Sequence, residues 1–141
     1  MLDRFDLLLD IEALEPMALM TDSPAETSDE VKARIAAART FALQHRPQTA
    51  MRLNAKLSAS DIQKQIELNG NVQAVLTQAM EKQNLSARGF HKILRVARTI
   101  ADLARSDQID RIHVLEALSY RRYLLFGAVN GCGQTASMNH L

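Results

Sequence analysis

The chain has 141 residues, with 17 lysines and arginines against 16 aspartates and glutamates, for a net charge of +1. That length suits one ordinary domain with a core of its own. The charge balance excludes a polycationic nucleic-acid coat, so any contact with an anion must come from local clustering. With no tryptophan, two tyrosines and four phenylalanines, the core must come from Leu, Ile, Val, Ala and Met, which suits helices.

Residues 5–12, FDLLLDIE, form a nearly continuous apolar run that predicts a short buried strand. No second run of this quality follows. A lone strand cannot satisfy its own backbone, so its sheet is expected outside this chain. Pro16 and Pro24 mark 13–26 as a linker. Thr27 and Glu30 then form a capping box, and Val31, Ile35, Ala38 and Ala42 recur at helical spacing up to Arg46, with Pro47 as the stop. A polar loop is expected to about Lys56.

Ser58 predicts the cap of a short helix through Ile62 and Ile66, ending at Asn69-Gly70. Asn71 predicts the next cap, with Val72, Val75, Leu76, Ala79 and Met80 on one face. Ser86 caps a basic helix whose buried stripe is expected at Phe90, Leu94, Ala97 and Ile100 or Ala101. Asp110 caps the last helix, Ile109 staples onto Val114 across that cap, and Ile112, Leu115 and Leu118 are the expected core face. After Tyr123 the periodicity fades into LLFGAVNGCGQTASMNHL, which reads as a disordered tail. The expectation is an all-α helical bundle with an orphan N-terminal strand, divided as 1–26 (strand and linker), 27–123 (helical domain) and 124–141 (flexible tail).

The single cysteine, Cys132, excludes an intrachain disulfide and a cysteine zinc site, and fits a reducing cytoplasm. No apolar run reaches the roughly 18 residues that suggest a membrane span, and MLDRFD does not read as a signal peptide. None of the five glycines sits in a G-x-x-x-x-G-K-[ST] frame, and no zinc-hydrolase or nucleophile-elbow motif is present. His45, His91, His113 and His140 are scattered. No catalysis is expected of this chain on its own.

The chemistry-bearing residues are basic. Arg88, Lys92 and Arg95 fall at i, i+4 and i+7 and share one flank of their helix. A solvated helix face accounts for that spacing as well as a binding site does, and Arg98 with Asp102 reads as an i,i+4 surface pair of modest value. Arg88 is less ordinary. It lies in the first helical turn, where the helix dipole disfavours a cation, and an anion shared with the helix N-terminus would resolve the conflict. Arg4, just before the strand, reads either as a charged strand start or as an arginine presented at a sheet end, as arginine fingers are.

Leu2-Asp3-Arg4-Phe5-Asp6-Leu7 resembles the LLDRxDL motif of the magnesium-chelatase and MCM branch of AAA+ ATPases. Leu85–Leu103 is similar to the sensor-2 helix of the ComM/YifB family of bacterial magnesium-chelatase-like ATPases, and Ile112–Tyr120 resembles that family's terminal helix. The resemblance covers about 1–122 and implies the C-terminal helical lid of an ATP-driven, hexameric, DNA-acting motor linked to transformation and recombination. By it, Arg88 is the sensor-2 arginine on an ATP phosphate in cis, and Arg4 is an arginine finger acting in trans. The implied partners are the AAA+ core of the same protein, neighbouring hexamer subunits and DNA, with no membrane. ATP and Mg²⁺ belong to the full-length protein, and none is expected bound to this part alone. Two further readings stay open: the lid of a true magnesium chelatase, and a free helix-turn-helix DNA-binding module over 86–122, against which Asp107 and Asp110 flank the turn.

Overall fold

The computed structural model describes residues 4–9, 11, 26–50, 53–65, 70–83 and 85–121. Of the linker expected over 13–26, residues 13–25 lie outside the described residues, as does the tail over 124–141. Among the described residues the regular structure is helical: α1 (Ser28–His45), α2 (Pro47–Ala50), α3 (Ala59–Gln65), α4 (Gly70–Gln83), α5 (Ala87–Leu103) and α6 (Arg111–Ser119), with a 3-10 turn at Asn54–Lys56. The all-α architecture is as the sequence predicts.

Side-chain caps start most of these helices. The Thr27 hydroxyl accepts from the Glu30 N–H at 3.3 Å, and the Glu30 carboxylate accepts from the Thr27 N–H at 2.7 Å. Ser58 and Asp61 make the same reciprocal pair at the head of α3, at 3.1 and 3.3 Å. The Ser86 hydroxyl accepts from the Gly89 N–H at 3.1 Å. At α6 the Asp110 N–H donates to Nδ1 of His113 at 3.0 Å, so that histidine belongs to the cap.

Pro47 ends α1 but also begins α2, where its missing N–H is no loss. The expected polar loop therefore holds a one-turn helix and a 3-10 turn. α4 starts at Gly70, not after an Asn71 cap, while Ile66 and Asn69 lie outside the described residues. The C-terminus of α5 closes in a Schellman arrangement: Ser106 N–H donates to Ala101 O at 2.8 Å, and Arg105 N–H to Asp102 O at 3.1 Å. The residue in the left-handed position is Arg105, with φ of 56°, where glycine is usual.

α5 is the central element, packed against α1, α3, α6 and the 3-10 turn. Its Ile93, Leu94, Ala97 and Ala101 are buried with Leu57, Ile62, Val72, Leu76, Ile109 and Val114 in one core. Leu94, Ala97 and Ala101 fall where the periodicity puts them, and Ile109 and Val114 are both in the core, as the staple requires. Phe90 and Ile100 are half-buried against it, and Met80 of α4 is exposed.

Two expectations are corrected. The core face of α6 is His113, Val114, Ala117 and Leu118, while Ile112 and Leu115 are 68% and 44% exposed. This helix of nine residues carries apolar side chains on two adjoining faces. The backbond from Asp110 to His113 turns the His113–Val114 side inward. The N-terminal run also forms no strand among the described residues. Residues 5–9 run as irregular backbone, with Phe5, Leu7 and Leu9 exposed, because no neighbouring strand is there to pair with them. The run touches the bundle through the Leu8 N–H, which donates to Tyr120 O at the end of α6 at 3.0 Å.

Candidate anion-binding cleft

The basic residues of α5 have divergent surroundings, set by which end of the helix they occupy. Toward the N-terminal end, Arg88, His91, Lys92 and Arg95 line an open cleft of about 440 Å³. Ala59 of α3 and Arg4 of the N-terminal segment complete it. The two arginines singled out by sequence, 84 positions apart by numbering, thus meet on one surface.

Within the cleft the cations are not equivalent. Arg95 donates through Nε at 3.0 Å and Nη2 at 2.6 Å to the carbonyl of Leu57, so it fastens the start of α3 to α5. Of the two readings open for this flank, the solvated face does not describe Arg95. Lys92 is 8% exposed and lies 3.4 Å from the Asp6 carboxylate. His91 is turned back onto its own helix, with Nδ1 2.7 Å from the Ala87 carbonyl, and stands edge-on to Phe90. Arg88 and Arg4 are exposed, and among the described residues neither side chain has a hydrogen-bond or ion-pair partner. Arg88 sits in the first turn of α5, one residue from Gly89, whose N–H is already taken by Ser86. An uncommitted guanidinium at a helix N-terminus, beside a second one, suits a phosphate or carboxylate group.

The C-terminal end of α5 is the opposite case. Arg98, 1% exposed, is among the largest fully buried side chains, and Asp102 is 4% exposed. Arg98 Nε donates to Asp102 Oδ1 at 3.1 Å, its Nη1 to Asp107 O at 2.7 Å, and its Nη2 to Ser106 O. Asp102 also accepts from Arg46 and, at 2.8 Å, from Asn54. Burial pulls the Arg98 guanidinium below the usual arginine range; the Asp102 carboxylate pulls it back up, and the charge of Arg46 works with burial. The expected surface pair is therefore a buried four-residue junction. It ties α1, the 3-10 turn, α5 and the α5–α6 turn together. Local i,i+4 spacing carries no sign of this, because Arg46 and Asn54 arrive from far upstream.

Comparison with known proteins places the chain. Residues 25–121 match the family described as magnesium chelatase, subunit ChlI C-terminal. The chain belongs to that family. It is 37% identical over 121 residues to the competence protein ComM of Haemophilus influenzae, a match spanning 85% of this chain and 23% of that relative. It is 42% identical to YifB of Salmonella typhimurium and 40% to YifB of Escherichia coli, again over 85% of this chain and 23% of each relative. The chain thus spans about a quarter of the length of these relatives. It is a C-terminal lid region of the ComM/YifB type of magnesium-chelatase-like protein.

ATP and Mg²⁺ are the groups such a protein implies. The cleft fits the phosphates: two exposed arginines with a lysine beside them. It does not fit the metal, since its described lining is basic and carries no carboxylate to ligate Mg²⁺. Among the described residues no helix is long and apolar enough to cross a membrane.

Proposed function

We propose that residues 27–123 form the nucleotide-sensing lid of an AAA+ ATPase, in which Arg88 contacts an ATP phosphate as sensor 2 and Arg4 serves as the arginine finger. The observation that carries this reading is the uncommitted Arg88 guanidinium in a cleft that also presents Arg4. Phosphoryl transfer depends on positioned positive charge around the transferred group, and a guanidinium offers a bidentate fork to phosphate oxygens. The sequence resemblance supplies the cis role of Arg88 and the trans role of Arg4 in a hexamer. Because the two line one cleft of this chain, a trans role for Arg4 requires either that residues 4–9 swing toward the neighbour or that the whole cleft faces the neighbour's nucleotide. The apolar side chains of Phe5, Leu7 and Leu9, exposed here, suit burial against the AAA+ core that precedes the lid in the longer protein.

The likeness to a competence protein supports a cytoplasmic, DNA-acting motor in transformation and recombination as the work of the whole protein. The family description keeps a second reading in view, metal insertion by a true magnesium chelatase. Stimulation of the whole protein's ATP hydrolysis by DNA separates the two. A free DNA-reading helix-turn-helix is disfavoured by α6, whose exposed side chains include Ile112 and Leu115 and balance one cation, Arg111, with one anion, Glu116.

The test of the lid reading is Arg88→Ala in the whole protein. ATP hydrolysis is expected to fall at least tenfold, as loss of a charge-assisted phosphate contact of about 1.5–3 kcal/mol implies. Hydrolysis at the wild-type rate would remove Arg88 from the site.

A further inference from the structure

The position of Arg4 needs an explanation that its own side chain does not supply. Residues 5–9 bring no buried apolar side chain to the bundle: Phe5, Leu7 and Leu9 are exposed and Leu8 is half-buried. What holds the segment on the lid is polar. The Leu8 N–H bonds to Tyr120 O, and the Asp6 carboxylate meets the Lys92 ammonium at 3.4 Å. Lys92 is itself enclosed, with its side chain 10% exposed, whereas Asp6 is 54% exposed. The lysine is therefore the fixed partner and the aspartate the one that docks. Asp6 lies two residues from Arg4, close enough for its anchorage to fix where that arginine stands.

We propose that Asp6 and Lys92 are a positioning pair for Arg4: the aspartate docks on the lysine and so holds the arginine at the cleft, where it shares an anion with Arg88. The proposal rests on the phosphate reading of the cleft and deepens it. It holds whichever subunit supplies the phosphate. It also gives an acidic residue a constructive part in an anion site, and this makes it testable by sign. A carboxylate beside an anion site repels the anion, so its neutralisation should tighten binding if electrostatics acts alone. If Asp6 positions Arg4, neutralisation should weaken binding instead.

The probe is inorganic pyrophosphate, titrated calorimetrically into the 141-residue chain at fixed pH and ionic strength. Asp6→Asn is expected to weaken binding about fivefold despite raising the net charge, the size of one lost partly exposed charged contact. Asp6→Glu is expected to restore binding. In an Arg4→Ala background, Asp6→Asn is expected to lose its weakening effect, because there is no arginine left to position. Asp6 is exposed enough that its substitution leaves the core untouched, and the circular dichroism melt of each variant checks this. Tighter binding by Asp6→Asn, or equal weakening with and without Arg4, overturns the positioning role while leaving the cleft standing. Failure of the wild-type chain to bind pyrophosphate, or binding indifferent to Arg88→Ala, overturns the phosphate reading and this proposal with it.

Discussion

Arg88 and Arg98 sit on the same helix, less than three turns apart, and their surroundings have nothing in common. Arg98 is enclosed, paired with Asp102 and committed to two carbonyls of the next turn. Arg88 is exposed at the helix start and, among the described residues, has no side-chain partner. One arginine is used up in holding the bundle together. The other stands against the local helix dipole with its hydrogen-bonding capacity intact. Within one basic helix, the degree of commitment separates structural charge from charge available to a ligand.

The buried end is where this contrast breaks most easily. Asp102→Ala takes the carboxylate away from the enclosed Arg98 guanidinium and removes one partner of Arg46, and about 3–5 kcal/mol of stability is expected to be lost. Urea unfolding of the chain measures this, and a loss near zero would mean that the junction is open to water. Arg95 is the intermediate case, since it is at the cleft yet bonded to the Leu57 carbonyl. Arg95→Ala should cost about 1–3 kcal/mol by stranding a carbonyl of a buried residue. Equal stability of Arg95→Ala and wild type would return Arg95 to the group of free charges.

The reach of the junction into α1 can be sharpened at the opposite end of that helix. Thr27→Ala is expected to cost about 1 kcal/mol through loss of the cap. The Glu30 half of the box has a pH signature. Hydrogen bonds from the backbone and then the side chain of Thr27 hold its carboxyl below the ordinary glutamate value. A depressed carboxyl adds stability that is fully present above the unfolded value and is lost as pH falls through the folded one. The stability difference between wild type and Glu30→Ala should therefore be constant near neutrality and shrink in acid below the usual carboxylate range. A difference that grows in acid would contradict the bonded geometry. The smallest expected effect on stability is that of Arg88→Ala, within about 0.5 kcal/mol of wild type. A clear loss in the thermal melt would make Arg88 a structural residue and undo the comparison.

The starts of α1, α3 and α5 were legible in the sequence because caps are local: Thr27 with Glu30, Ser58 and Ser86 all act within three residues of themselves, whereas α4 begins ahead of the expected Asn71 cap. The stripe of the long helix α5 was legible in part, because several turns of Leu and Ala at one spacing leave few alternatives. The face of α6 was not. Only Leu118 of the expected face is buried; in nine residues, Ile112 and Leu115 compete with Val114 and Ala117 on equal terms, and the cap to His113 favours the latter. The junction at Asp102 was invisible for another reason. An Arg–Asp pair four residues apart reads the same whether water or Arg46 and Asn54 surround it. The cleft was half legible: Arg88 and Arg4 were marked by their positions in the helix and the motif, but nothing local indicated that Asp6 meets Lys92.

The left-handed residue at the end of α5 has a consequence of its own. A non-glycine side chain there costs roughly 1–2 kcal/mol relative to the right-handed backbone. The corner at Arg105 does not hold itself by preference; it is held by the backbone bonds of Arg105 and Ser106 back to α5 and by Arg98, which grips the carbonyls of Ser106 and Asp107 just beyond it. A charge buried inside the preceding helix thus helps to set the direction in which α6 leaves the corner. α6 is fixed twice, at its root by this grip and along its length by the buried face of Val114, Ala117 and Leu118, and the Tyr120 carbonyl at its far end, to which the Arg4 segment is tied, takes its position from both.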